Sequence, residues 1–592
     1  MPTLKHPDRG LPAAWRQMVG NKVVVGLLLA GAVALSACAG EPVGPGNPPD
    51  DTTPPPGNVA CTGVTEVNLS PGQATVVDPS ANNGCLRFPA AGPGGAEYLY
   101  MAAATNGREA ASGISTSYEV RGGASGLTAS RGALPAVGRE QRLLEPGGLR
   151  PNLAFDARLR SRERALAEAP GAVALSRARI SASVVAVPPV VGGQRTFKVC
   201  RTIDCTSFAD VTATAKYVGP KGAIYLDNTV PAAGYTQADI DSAGFLFDNY
   251  LYPLDTTSFG GESDLDHNGV VVVLLTDQVN ALSPDCTASG SVILGFFYGN
   301  DLLPGNPGSN GGEVFYGLVP DPDNAGCSIS HDFARSYLAP TFIHEFQHMI
   351  SYNQHVLQRG GLSEDTWLNE GLSHLAEEIG GLSIPDQYCV NQDCRTQFQV
   401  GDVQNAYGYL TDPESFFLVE PSSSSGLLEE RGANWLFVRW LVDQFGGDQI
   451  GVTLTRTLVA TSKLGADNVA AVTGVPFSTL VPQWQLANYL DDLPGFVTQE
   501  PRLRYTSWNF RATFADLHSQ DPADFPLAFP LRPDSVTAGT YDRKGTLRAG
   551  SGLHLRVLQA PGSAAVTLQL TDSLRRSIPA TAVPRIGIAR VR

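Results

Sequence analysis

The sequence predicts a multidomain α+β protein. A central domain with a strand-rich N-terminal part and a helical C-terminal part lies between small all-β modules. Three observations predict this. At 592 residues the chain is long enough for several domains. The hydrophobic period shifts from two toward 3.6 past the middle of the chain. Short alternating stretches between glycine-rich turns recur near both ends. Hydrophobic residues make up 43% and charged residues 17%, a composition that packs rather than stays disordered. The net charge of −15 argues against non-specific nucleic-acid binding, which needs a basic surface.

Residues 1–38 read as an export signal. Lys5, Arg9, Arg16 and Lys22 lead into the apolar run 23-VVVGLLLAGAVAL-35, too short to span a bilayer comfortably. The run ends in 35-LSAC-38, which resembles a bacterial lipobox and implies lipidation of Cys38. An ordinary secretion signal with a chance cysteine is the alternative. The proline- and glycine-rich stretch 39–58 suits a tether and favours the lipoprotein reading. The expected location is the cell envelope, periplasmic or surface-exposed, with a lipid anchor as the membrane contact. Nine cysteines are present. With Cys38 set aside they fall into neighbouring pairs, Cys61 with Cys85, Cys200 with Cys205, Cys286 with Cys327 and Cys389 with Cys394. An even set in an exported chain reads as disulfides, although sequence alone leaves the connectivity open.

Residues 59–130 alternate apolar and polar positions, as in 97-EYLYMAA-103, and read as a small β domain. Residues 131–190 are rich in arginine and alanine. There 154-AFDARLRSRERALAEA-169 combines helix formers with few apolar anchors, and reads as a linker or exposed helix, with a propeptide segment as the alternative. Residues 191–500 form the central domain. RTFKV, DVTATAKYV, GAIYLDN, 263-SDLDHNGVVVVLLTD-277 and 312-GEVFYGLV-319 read as strands. Helices are expected at 236–252, opened by Thr236 as N-cap, and at 432–446 and 476–490. Residues 501–592 return to strands such as 553-LHLRVL-558 and read as a second β module.

The chemistry centres on 341-TFIHEFQHMI-350. Pro340 suits the first turn of a helix. On that helix His344 and His348, four apart, share a face and can reach one zinc ion. Glu345 is offset by one position and leans over the open side. This is the HExxH arrangement, short enough to arise by chance on a buried helix. Two histidines are an incomplete site, because a catalytic zinc takes three protein ligands and keeps a fourth position for water. A carboxylate able to complete the set follows at Glu370 in 366-TWLNEGLSHLAEE-378. The 21 residues between His348 and Glu370 allow a turn and an antiparallel return.

HEFQH followed by WLNEG resembles the gluzincin metallopeptidases, and more narrowly the hyicolysin-type peptidases, over roughly 190–500. The resemblance implies a thermolysin-like zincin catalytic domain. It implies His344, His348 and Glu370 as zinc ligands and Glu345 as general base. Glu377 matches a position where related enzymes keep a second carboxylate. Thermolysin-like enzymes carry an aspartate four residues after the ligand glutamate, where this chain has His374. That histidine is expected to support a ligand rather than to compete with one. The implied activity is a secreted or surface-anchored endopeptidase acting on protein or peptide substrates by a zinc-activated water.

Tyr407 and Tyr409 are candidate oxyanion donors by position, and equally core tyrosines. The 312–319 strand is a candidate sheet edge for an extended substrate. Asp264, Asp266 and Asn268 before Gly269 form the first half of an EF-hand-like calcium loop, or an acidic turn capping a strand; the twelfth position is Leu275, not glutamate. Two rivals stand beside the endopeptidase. One is a surface adhesin or binding protein with an inactive protease-like domain, and the intact motif weighs against it. The other is an aminopeptidase, but no methionine here is followed by Glu-Asn, as in the GxMEN-like loop of gluzincin aminopeptidases.

Overall fold

A computed structural model describes residues 61, 63–123, 151–169, 188–286, 291–424, 426–448, 450–537 and 539–592. The signal, Cys38 and the tether lie outside the described residues. The strands are β1 Thr65–Glu66, β2 Ala74–Val77, β3 Cys85–Phe88, β4 Ala96–Ala104, β5 Ser115–Gly123, β6 Gln194–Cys200, β7 Phe208–Val218, β8 Gly222–Asp227, β9 Val271–Leu275, β10 Gly295–Phe297, β11 Val314–Gly317, β12 Asp534–Val536, β13 Tyr541–Arg548, β14 Gly552–Gln559, β15 Val566–Thr571 and β16 Pro584–Arg590. The principal helices are α1 Pro151–Glu168, α2 Gln237–Leu246, α3 Tyr252–Ser258, α4 His331–Tyr352, α5 Thr366–Ser383, α6 Cys394–Thr411, α7 Leu428–Phe445, α8 Val452–Val459, α9 Gly465–Thr473, α10 Phe477–Leu490 and α11 Phe510–Gln520. The four cysteine pairs expected from neighbourhood are disulfides. Among the described residues no helix is long and apolar enough to cross a membrane.

The sequence suggests two separate β modules, but the structure interleaves them. One sheet runs β1-β3-β15-β5-β13 and the other β12-β14-β4-β16-β2, so each takes strands from both ends of the chain. β4 shows why. Tyr98, Tyr100, Ala102 and Ala104 point into the core between the two sheets. Leu99, Met101 and Ala103 point the other way, into the main core. Alternation tells a strand which residues share a face; it does not tell it which strand lies alongside. A strand buried on both faces needs partners on each side, and these come from β14 and β16.

The third sheet runs β10-β11-β9-β8-β7-β6. β9 and β11 are fully buried and parallel, as their unbroken apolar character suits. β11 therefore lies inside the sheet, not at its edge as the sequence reading allowed. Among the described residues the free edge on that side is β10, antiparallel to β11. Beyond this sheet α5 lies against α4, α6 and α7. Thr236 caps α2 in a reciprocal box with Asp239, as expected. Two glycines set the helix spacing. A Cβ at Gly371 would come within 2.8 Å of Asn434 O on α7, and one at Gly432 within 2.2 Å of the Asn405 carbonyl carbon on α6.

α4 begins at His331, with Ser330 as its cap, so Pro340 lies inside the helix rather than in its first turn. A proline there offers no N–H to the carbonyl four residues back, that of Ser336. Gln397 of α6 supplies the missing donor, its side-chain nitrogen 2.9 Å from Ser336 O. This replacement donor lets an otherwise costly proline sit four residues before His344.

The packing can be tested at two points. Gln397→Leu leaves the Ser336 carbonyl without that donor and costs about 1–3 kcal/mol. In a Pro340→Ala background, where the backbone N–H is restored, the cost falls by about 1 kcal/mol, read from denaturant unfolding of the four-member cycle. The second point is His554 of β14, which bonds Gln485 O of α10 across 2.9 Å. Burial pushes its imidazole down to about 4. In the unfolded chain it protonates near 6.5, so the unfolded state binds more protons in between. The stabilisation is full above that value and is lost as pH falls toward 4. His554→Gln removes about 3 kcal/mol of this acid dependence. The check is Tm at pH 5 and 7.5 for both forms.

Candidate metal centre

α4 carries His344 and His348, and α5 carries Glu370. Their packing brings one donor atom of each within 4.8 Å of the others. His344 Nε2 and His348 Nε2 face each other across 3.1 Å. Glu370 Oε2 is 3.6 Å from His344 Nε2, and Glu370 Oε1 is 3.6 Å from His348 Nε2. All three are buried; Glu370 and His348 are 2% exposed. Burial opposes charge on Glu370, yet Arg431, His348 and His344 hold it well below the usual carboxylate range. Burial, with Arg160 nearby, pushes His348 well below the ordinary imidazole range and keeps it neutral. For His344 burial works in the same direction, but Glu370 and Glu377 outweigh it and raise the ring well above that range.

The donor set fits a divalent cation. Two imidazole nitrogens converge on one point beside a carboxylate oxygen, Glu370 Oε2, that is buried without a hydrogen bond. Two imidazoles and a carboxylate with an open side are the ligand set of catalytic zinc.

Residues around the set fix its geometry. Glu377 Oε1 accepts from His344 Nδ1 at 2.8 Å, leaving Nε2 for a ligand. The Ser373 hydroxyl lies 3.1 Å from His348 Nδ1 and orients that ring in the same way. His374 Nδ1 lies 2.9 Å from Glu377 Oε1 and 2.8 Å from Asp402 Oδ1. Burial disfavours its charge, but Asp402 and Glu377 together hold it up at about 9. His374 therefore acts on the set through Glu377. It also lies within reach of a second donor group with His344 and Glu377.

Glu345 is 7% exposed and accepts from Phe297 N of β10 at 2.7 Å. Burial pushes it up to about 7 against the pull of His344 and Arg160. The motif glutamate is thus tied to the edge strand with its carboxyl raised toward neutrality.

Tyr407 and Tyr409 are committed elsewhere. The Tyr407 hydroxyl bonds the Leu527 backbone, donating at 3.1 Å and accepting at 2.8 Å, and its ring packs on Phe514 and Phe525. The Tyr409 hydroxyl accepts from Gln485 at 2.8 Å, and its ring stacks on Trp484. Both hydroxyls have partners in the core, the other reading the sequence offered for these tyrosines.

Asp264 and Asp266 come together with Glu313, which lies beyond the linear loop pattern. Both oxygens of Asp266 and of Glu313, and one of Asp264, accept hydrogen bonds. Asp266 accepts from Asn268 N and Nδ2, Asp264 from Gly269 N, and Glu313 from Ser263 Oγ and Leu265 N. Asn268 Oδ1 accepts from Val270 N. The stretch is an acidic turn leading into β9, and the three carboxylates lie close enough together to share a cation.

Sequence reasoning missed Asp402, Arg431, Asp156 and Arg160. The first two lie on helices α6 and α7 with no fixed spacing from the motif. Only the charge of Arg431, just before a continuous apolar helix face, hinted at a buried role.

No known protein-family profile matches the chain. Over 171 residues it is 31% identical to the neutral metalloprotease ShpI of Staphylococcus hyicus, a match covering 28% of this chain and 36% of that protein. The chain thus spans about a third of the length of the curated relative it matches. This partial similarity is to a metallopeptidase, and the His and Glu cluster is of the kind such an enzyme uses.

Asp402→Asn removes one of the two charges that hold His374 up. The imidazole should then titrate lower, read by heteronuclear NMR of the histidine rings. An unchanged titration would mean that Glu377 alone carries the ring's charge.

Proposed function

We propose that this protein is a zinc-dependent endopeptidase of the cell envelope, held there by a lipid on Cys38. The observation that carries the reading is the convergence of His344, His348 and Glu370 beside a glutamate bonded to a free sheet edge. The partial similarity to a neutral metalloprotease and the four disulfides support it.

In this reading His344, His348 and Glu370 hold the zinc. When bound, zinc supplies Lewis acidity that activates water and polarises a peptide carbonyl. Glu377 and Ser373 present the two Nε2 atoms toward the metal position. Glu345 takes the proton of the attacking water and passes it to the leaving amine, its carboxylate held in place by Phe297 N. β10 offers its edge to an extended peptide by strand addition. A peptide threading along a sheet edge is cut in its interior, which favours an endopeptidase over an aminopeptidase.

The test is hydrolysis of unfolded casein by residues 59–592, with zinc measured on the same sample. The parent binds about one zinc per chain and cleaves at internal bonds. Glu345→Gln keeps the zinc and loses about 100-fold or more in rate. Glu370→Ala loses the metal, and Glu377→Ala weakens its affinity about 10–100-fold. A parent chain without zinc, or cleavage confined to free N-termini, would overturn the reading.

A further inference from the structure

α1, read from sequence as a linker or exposed helix, lies on the metal centre. Phe155, Leu159 and Glu163, spaced four apart, are buried along one face. The Phe155 ring meets Phe296 of β10 edge-on at 4.9 Å. Glu163 Oε1 accepts from Gly299 N at 2.7 Å, just past β10, and its other oxygen binds Arg160 at 2.6 Å. Asp156 pairs with Arg431 at 2.7 Å, and the same guanidinium reaches Glu370 Oε2 at 3.5 Å. Arg164 pairs with Asp365 at the start of α5. One helix therefore touches the free edge strand, the partner of the ligand carboxylate and the cap of the helix that bears it.

This placement conflicts with an open active site. His344 is 9% and Glu345 7% exposed, and Arg160 of α1 is close enough to Glu345 to pull on its charge, so the helix lies on the side where the site has little contact with solvent. The helix is also attached in an unusual way for a permanent core element. Among the residues of α1 whose side chains are described, the large fully buried apolar ones are Phe155 and Leu159, and Asp156, Arg160, Glu163 and Arg164 join ion pairs. These pairs are mostly buried, and the cost of desolvating their charges offsets much of their attraction, so they add little net stability once displacement returns both partners to water.

We propose that α1 is an intramolecular inhibitor, occupying the groove between β10 and Arg431 that an extended peptide must enter. This rests on the peptidase reading for the identity of the displaced ligand, although the blocking itself does not. With α1 seated, Asp156 engages Arg431 and Phe155 packs on Phe296 of β10. With α1 displaced, the edge and the open side of the metal site face solvent together.

The test uses the full exported chain loaded with zinc and two variants. Asp156→Asn/Glu163→Gln is isosteric and weakens only the charged contacts. Phe155→Ala/Leu159→Ala removes the apolar anchors. Two quantities are read, the binding rate of a fluorescent peptide hydroxamate and the hydrolysis of casein. If the open form is about a tenth or less of the population, each variant raises the hydroxamate binding rate about 10-fold or more at unchanged zinc content. A synthetic peptide of residues 151–168 added to either variant reverses the gain. Equal hydroxamate rates in the parent and both variants would overturn the inhibitor. Faster hydroxamate binding with no casein cleavage in any form leaves the inhibitor standing and sinks the peptidase reading instead.

Discussion

A carboxylate buried between two imidazoles and a guanidinium is the contact on which the rest of this structure depends. Glu370 is 2% exposed and meets His344, His348 and Arg431. An ionised group removed from water is tolerated only when its partners are fixed and hydrogen-bonded. Each partner thus needs its own support. Glu377 and Ser373 serve the histidines, His374 and Asp402 serve Glu377, and Asp156 serves Arg431. The polar cluster spreads through α4, α5, α6, α7 and α1 because no member can be left half satisfied.

The helix packing obeys the same demand. α5 approaches α7 closely because Gly371 has no side chain to hold them apart, and that glycine directly follows the buried carboxylate. α6 approaches α7 at Gly432, next to Arg431. α6 also donates Gln397 to the Ser336 carbonyl that Pro340 leaves unpaired. Glu378, one residue past Glu377, faces the other way and is held by Trp435, Trp508 and Arg439. Consecutive glutamates on α5 therefore serve opposite sides, one the metal ligands and the other the core.

The β-sandwich is coupled to this centre through α10. Leu486 and Met101 pack where Gly587 carries no side chain, and His554 bonds the Gln485 carbonyl. Because β2–β5 and β12–β16 share two sheets, α1 is suspended between a strand of the sandwich, β5, and the first strand of the central sheet, β6. A helix strung between two folded parts and laid over a third is well placed to report on, or to control, access to the site between them.

The sequence by itself determined the local elements and the linear half of the site. Alternation located β4, β14 and β15, the 3.6 period located α7 and α10, and Thr236 marked the start of α2, because these signals arise from neighbours along the chain. The spacing of His344, Glu345 and His348 is likewise fixed by one helix. Glu370 was legible because it follows His348 at a distance that allows a connection and an antiparallel return. Tertiary structure alone decided which strand pairs with which, and so merged two expected β modules into one sandwich. It decided that β10 rather than β11 is the edge, that Tyr407 and Tyr409 belong to the core, and that Asp402, Arg431 and α1 gather at the metal centre. These outcomes rest on contacts between residues far apart in sequence. Period and spacing record which face a residue occupies, and carry no information about what packs against that face.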